Sequence, residues 1–191
     1  PRTVVLNLGL DEDELLSRMH HKTRYNIKVA EKYGIIVKDS DDLDSFWKLL
    51  KKTAKRDRFS SHSKDYYKKL TEYFRGDGMR VELVMAYHND KAVAGAILMT
   101  YGDTCYYLHG ASDHDARSMM APYALHWENI KYLKTRGIKY YDLWGIDARR
   151  WPGVTRFKLG WGGQAKEYPG SFDIPVQPIW YLIYRVARKI F

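Results

Sequence analysis

The sequence is short of cysteine, of long apolar runs and of acidic residues, and each shortage excludes something. One cysteine, Cys105, among 191 residues rules out an internal disulfide and fits a reducing compartment. Thr104 and Tyr106 flank it in a strand-like context, which predicts a buried structural thiol rather than a nucleophile. No apolar stretch approaches the ~20 residues that span a bilayer, and no signal peptide opens the chain. A soluble or peripheral, cytoplasmic protein is therefore expected, with peripheral contact at the inner face of the membrane left open. The chain starts at Pro1 rather than Met, which reads as a processed or excised piece of something longer. Asp plus Glu number 23 against 32 Lys plus Arg, a formal charge of +9 and a sequence pI near 9.4. Such a field speeds the approach of nucleic acid, phosphorylated substrates or an anionic membrane surface, without choosing among them.

Familiar catalytic signatures are missing too. The seven histidines, at positions 20, 21, 62, 88, 109, 114 and 126, lack zinc-ligand spacing, so no metal site is expected. No G-x-S-x-G marks a hydrolase. Neither a Walker A pattern nor G-x-G-x-x-G occurs, and "GWGG" lacks the lysine-serine ending of a phosphate loop. No cofactor is expected.

What is present reads as one α/β unit. "TVVLNL" alternates as a strand, and "LDEDELLSRM" follows as a helix capped by Asp11 with Glu14 three residues on. A basic helix, "HHKTRYNIKVAEKYG", has Thr23 as its expected cap and Gly34 as its stop. After the strand "IIVKD" come a helix with a Leu43, Phe46, Trp47 and Leu50 stripe and a second, "SKDYYKKLTEYFR", closed by Gly76. "MRVELVMAY", "KAVAGAILMTY" and "TCYYLHGAS" are joined by "HND" and "GD", which predicts an antiparallel meander. The longest helical pattern starts near Ala121-Pro122 and stops at Gly137. "IKYYDLWG" returns as a strand, "RFKLGWGG" reads as a turn, "GQAKEY" adds a last strand, and "QPIWYLIYRVARKIF" ends the chain as an amphipathic helix suited to a partner domain or anionic lipid, docking being favoured. The expected fold class is α/β, a mixed and largely antiparallel sheet flanked by helices.

Several blocks carry a resemblance: "KTRYNIKVAEKYGI", "GASDHDARSMMAPYALHWENIKYLKTRGIKYYDLWGI", and "RFKLGWGG" followed by "YPGSFDIPVQPIWYLIY". In that order, from about Thr3 to the C-terminus, they resemble the FemABX family of aminoacyl transferases that build peptidoglycan cross-bridges. The resemblance implies a GNAT-like fold, usually present twice in one polypeptide, with this chain as the second unit, residues 1–191 forming a single domain. It implies aminoacyl-tRNA as donor and an amine of a UDP-linked or lipid-linked peptidoglycan precursor as acceptor. The sequence lacks the helical-hairpin arm that some members insert in this half, and the Q/R-x-x-G-x-G/A loop by which acyl-coenzyme A GNAT enzymes hold pyrophosphate. A GNAT-fold enzyme with another small-molecule donor and a non-catalytic tRNA- or precursor-binding module stay open as alternatives.

The resemblance also assigns residues. Lys158 matches the family's catalytic lysine in its F-K-x-x-(F/W)-G context, a cation for the oxyanion that forms as the tRNA ester is attacked; its ordinary reading is a helix-end charge complementing the dipole. Phe157 and Trp161 would restrict water around it, and Gly160, Gly162 and Gly163 would let backbone or the CCA end come close. Arg56 is the family-like partner for a diphosphate, with Arg58 as its neighbour in the same loop. Tyr107 and His109, two residues apart on one strand, are expected on one face, with Tyr107 bonding the stem peptide. Arg24 is set against tRNA phosphate or a solvated helix face. Asp142 and Asp147 flank "LWGI", each as proton acceptor or as ordinary cap and Asx turn, so no general base is assigned.

Overall fold

The computed structural model describes residues 2–73, 75–76, 78–170 and 172–190. Eight strands make one sheet in the order β2, β4, β5, β6, β7, β1, β8, with β3 (Arg75–Gly76) paired to β4. At its centre lies the expected meander, β4 (Met79–His88), β5 (Lys91–Tyr101) and β6 (Thr104–Ser112). The Asn89-Asp90 turn between β4 and β5 has both residues at positive φ, 47° and 61°, the two-residue geometry that matches strand twist. The apolar run of β5 is buried on both faces because helices cover both.

β7 (Tyr140–Ile146) pairs with β6 in parallel, while β1 (Arg2–Asn7) pairs antiparallel with both β7 and β8 (Gln164–Glu167). β2 (Ile36–Asp39) closes the other edge on β4. One face carries α1 (Glu12–Arg18), α2 (His21–Lys32) and α5 (Ala121–Thr135) over a core that includes Val4, Leu6, Leu125, Ile130 and Leu143. The other carries α3 (Leu43–Asp57) and α4 (Lys64–Tyr73) over Phe46, Leu50, Tyr67 and Ile97. Phe46 is fully buried, and truncating such a side chain to alanine costs about 3–5 kcal/mol.

The caps explain where helices start. Asp11 accepts from the Glu14 amide at 2.7 Å, as the sequence predicts, and Asp42 does the same for Ser45 at 2.9 Å. The cap of α2 is His20 rather than Thr23, which lies buried inside the helix against Gly160. Gly76 does not close α4: it pairs in β3 with Met79, and Phe74, which the helical pattern included, lies outside the described residues.

Two further differences bear on the site. "RFKLGWGG" is no simple turn, because Arg156–Leu159 form the end of α6 (Pro152–Leu159), started by Pro152 at a position where its missing N–H costs nothing. And β6 contains a bulge. Tyr107 pairs with Leu98 and His109 with Ile97, leaving Leu108 as the extra residue. Tyr107 and His109 therefore point to opposite faces.

α7 (Pro178–Ile190) stands away from the core, with Ile179, Trp180 and Leu182 at 76 %, 67 % and 62 % exposure; the side chains of Lys189 and Ile190 lie outside the described residues. No helix among the described residues is long and apolar enough to cross a membrane.

Candidate active site

β6 and β7 stay paired only from Thr104 to Tyr106 against Tyr140 to Asp142. Beyond that point β6 continues to Ser112 and β7 to Ile146 with no pairing between them among the described residues, so the sheet opens into a wedge. α6 runs beside this opening and places Lys158 in it.

Lys158 is only 7 % exposed, so its ammonium is held inside the protein rather than in solvent at a helix end. Nζ donates to the Gly145 carbonyl at 2.8 Å and lies 5.7 Å from the centre of the Tyr107 ring. One of its three N–H groups meets that carbonyl, and the other two have no hydrogen-bond acceptor among the described residues. Burial lowers the Lys158 pKa to about 8, against the opposing pull of the Asp142 carboxylate. At neutral pH roughly nine in ten side chains still carry the charge.

The carbonyl that receives Lys158 is aimed by local strain. β7 has one residue more than β1 between the Thr3–Gly145 and Val5–Asp142 pairs, and within this bulge Trp144 sits at φ 64°. A non-glycine residue there costs about 1–2 kcal/mol. Asp142 holds it: one carboxylate oxygen accepts from the Trp144 amide at 2.7 Å and from the Thr3 hydroxyl, the other from Tyr168 at 3.1 Å. Asp142 is 1 % exposed, so what it offers is position for the bulge.

The α5 side of the wedge is aromatic. Phe157 packs on Tyr123 and His126 at 5.1 and 5.3 Å, and Trp161, 1 % exposed, lies 5.5 Å from His126. His126 is buried, its ring 4.6 Å from Tyr107 and its Nδ1 2.9 Å from the Tyr141 hydroxyl. Burial, reinforced by Lys158, drops its pKa to about 3, so it is neutral. The Tyr107 hydroxyl lies over Gly110, where any Cβ would collide with it, and burial raises its pKa to about 12. The glycines after Lys158 make room for the chain itself: a Cβ on Gly160 would meet the Thr23 hydroxyl at 2.7 Å, one on Gly163 the Val5 carbonyl at 2.8 Å, and one on Gly162, at φ 77°, would run into the Arg18 carbonyl.

Of the residues marked in the sequence, the structure thus brings Lys158, Tyr107 and Asp142 together. His109 lies on the other face among Tyr67, Tyr66 and His62, with ring distances of 5.0, 6.2 and 6.3 Å, and burial lowers its pKa to about 4. Arg56 ends α3 in a two-pronged pair with Asp57 at 2.7 and 2.8 Å. Arg24 donates to the Leu16 and Met19 carbonyls and ties α1 to α2. Asp147 accepts from the amides of Arg149 and Arg150, an Asx-type turn. Sequence reasoning misses His126, Thr3 and Tyr168. A histidine on the apolar stripe of α5 is the one available signal, because Thr3 and Asp142 are 139 residues apart in sequence.

Comparison with known proteins identifies the fold and the family. The lipid II:glycine glycyltransferase of Staphylococcus epidermidis is 23 % identical over 256 aligned residues, covering 98 % of this chain and 62 % of the relative. The chain therefore spans about three fifths of that protein's length. The crystal structure of FemX superposes with a TM-score of 0.85 at 22 % identity, over 95 % of this chain and 63 % of FemX. An aminoglycoside acetyltransferase from a soil metagenome superposes at a TM-score of 0.54 and 13 % identity, over 75 % of this chain and 97 % of its own, so the fold is GNAT-like. The profile of the FemAB family matches residues 3–92 and 79–189, nearly the whole sequence, and the chain belongs to that family.

Proposed function

We propose that the protein is an aminoacyltransferase that moves an amino acid from aminoacyl-tRNA to an amine of a peptidoglycan precursor, in cross-bridge formation at the cytoplasmic side of the membrane. The observation that carries this reading is the buried Lys158 ammonium, held by one N–H in the β6–β7 wedge with the two others unspent among the described residues. In the reaction the acceptor amine attacks the ester carbonyl, a C–N bond forms, and negative charge collects on the carbonyl oxygen. The ester C–O bond then breaks, and the amine proton ends on the departing ribose oxygen. A fixed cation beside that oxygen favours the transition state over the ground state, an effect worth about 3–4 kcal/mol.

Tyr107, which stands at the wedge beside the Lys158 ammonium, is assigned to the acceptor, and Arg56 to its diphosphate. The relatives are lipid II:glycine glycyltransferases, which supports a lipid-linked acceptor. The reading includes a preceding unit of the same fold that completes the cleft, in keeping with the greater length of the relatives. A coenzyme A donor fits the site poorly. The segment from Asp113 to Met120 leading into α5 contains no glycine to cradle a diphosphate, and it carries a buried acid, Asp113, paired with Lys52 at 3.1 Å, which would repel one.

The test incubates the protein, within its full-length polypeptide, with a panel of radiolabelled aminoacyl-tRNAs and either UDP-linked or lipid-linked precursor. Label is expected to move to the precursor from one of them, and nuclease treatment of the donor is expected to abolish transfer. Transfer that survives nuclease, or that runs from an acyl-coenzyme A instead, would retire the reading.

A further inference from the structure

The loop from Asp147 to Trp151, between β7 and α6, presents an aromatic and several cations with no evident work inside the protein. Trp151 is 52 % exposed, Arg150 has 78 % of its side chain exposed, and Arg149 and Arg156 are exposed as well. Arg149 and Arg156 make no ion pair among the described residues, and Arg150 has only a 3.9 Å approach to Asp147. An exposed tryptophan loses apolar hydration free energy that a ligand would recover.

The loop is nonetheless built firmly. Asp147 Oδ1 accepts from the Arg149 amide at 2.9 Å and the Arg150 amide at 3.0 Å, its own amide donates to Thr155 Oγ1 at 3.1 Å, and the Trp151 amide donates to the Asp147 carbonyl at 2.8 Å. The acid is turned inward on the backbone while the guanidinium groups and the indole face out. A second exposed tryptophan, Trp144, stands at the same end of β7, set there by the bulge.

Spacing relates this surface to the wedge. Trp151 precedes α6 and Lys158 lies seven residues on, roughly 10 Å along the helix at 1.5 Å per residue. Stacked bases rise about 3.4 Å each, so roughly 10 Å matches about three bases. A flat ring with arginines around it, at that remove from the proposed ester site, is the chemistry that holds a single-stranded nucleic-acid end. Lipid is the poorer fit, because the longest run of exposed apolar residues is on α7, whereas Trp144, Trp151, Val154 and Leu159 are exposed here beside exposed arginines.

We infer that Arg149, Arg150, Trp151 and Arg156 form the platform for the unpaired 3′ end of the RNA donor, Trp151 stacking on a base and the arginines meeting phosphates while the terminal ribose reaches Lys158. The inference rests on the proposed transfer reading for the identity of the ligand, and its test uses binding, which needs no transfer.

The probe is a fluorescein-labelled acceptor-stem RNA hairpin with a four-nucleotide 3′ overhang ending in CCA, compared with the same hairpin blunt-ended, by fluorescence anisotropy across a salt series. Trp151→Ala is expected to weaken overhang binding about tenfold or more and to leave the blunt hairpin unchanged, with Trp151→Phe restoring most of the loss. Arg149→Gln with Arg150→Gln is expected to lower the slope of log affinity against log salt by about 1.4, at ~0.7 per single-strand contact. The same charge removed from α3, as Lys48→Gln with Lys55→Gln, is expected to leave the slope unchanged. The platform is refuted by variants that bind the overhang as the parent does, by equal losses on the blunt hairpin, or by an equal effect of the α3 pair. It is refuted equally if phosphatidylglycerol vesicles, and not RNA, lose affinity for the loop variants. Should tRNA-dependent transfer fail while these variants still lose overhang binding, the transfer reading falls and the platform stands; should transfer proceed while the variants bind unchanged, the platform falls and the transfer reading stands.

Discussion

The two faces of β6 each hold an imidazole beside a tyrosine, and only one of them sets a buried ammonium next to the pair. Below the sheet, His109 packs among Tyr67, Tyr66 and His62; above it, His126 packs on Tyr107, Phe157 and Trp161. Burial leaves both histidines neutral, with pKa values of about 4 and about 3. A displaced pKa therefore does not tell the faces apart. What does is the ammonium on the upper face, Lys158, 7 % exposed and bonded among the described residues to the Gly145 carbonyl beside the end of the β6–β7 pairing. A perturbed group marks a functional site only where geometry leaves it something to do.

The sharpest way to break this comparison is to remove the distinguishing cation. Lys158→Met keeps the length and apolar stem and deletes the charge, and kcat for aminoacyl transfer is expected to fall about 100- to 1000-fold with little change in substrate affinity. His109→Phe, on the opposite face, is expected to keep kcat within about threefold. Single-turnover rates with a charged tRNA compare the two; equal losses would mean that the faces are chemically alike.

A second break works through packing. Gly110 lies under the Tyr107 hydroxyl, so Gly110→Ala must push that ring out of the upper face or shift β6, and overpacking of this kind costs about 1–3 kcal/mol. Gly153 on α6 has nothing within 4 Å of a Cβ, and Gly153→Ala is expected to gain about 0.4–1 kcal/mol by restricting the unfolded chain and favouring the helix. Urea midpoints for the two alanine variants should move in opposite directions. A neutral Gly110→Ala would show that Tyr107 is not held where the structure puts it.

The contrast between local and distant contacts explains how much is legible in the sequence. The meander, its Asn89-Asp90 turn and the Asp11 cap follow from local alternation and local hydrogen bonding, and each can be read from a few neighbouring residues. Lys158 is marked by the residues around it. Its burial is not, because α6 is eight residues long and opens on Pro152-Gly153, a pair that reads as turn until Thr155 and Lys158 are packed against β7. The bulge at Leu108 has no local signature, so strict alternation puts Tyr107 and His109 on one face. The clamp on the Trp144 bulge is out of reach for another reason: Asp142 meets Thr3 across 139 residues and Tyr168 across 26. Contacts of that separation depend on the whole sheet being assembled.

The smallest effect, and the one that decides how the upper face works, lies in the pH profile. Lys158 titrates at about 8 in the folded protein, against an ordinary value of 10.5. If its cation steadies the oxyanion, kcat holds below pH 8 and falls above it, about tenfold by pH 9, as the charged fraction declines. If neutral Lys158 took a proton from the acceptor amine instead, the limb would reverse and activity would rise through pH 8. Unfolding cannot mimic the first outcome through this group. Between pH 8 and 10.5 the unfolded chain binds more protons at Lys158 than the folded one, so its contribution to stability rises with pH over that window. Lys158→Arg, charged throughout, should flatten the alkaline limb while keeping part of the rate, with donor ester hydrolysis subtracted in parallel reactions. An alkaline limb that persists unchanged in Lys158→Arg would assign the titration to another group and leave the buried ammonium without its role.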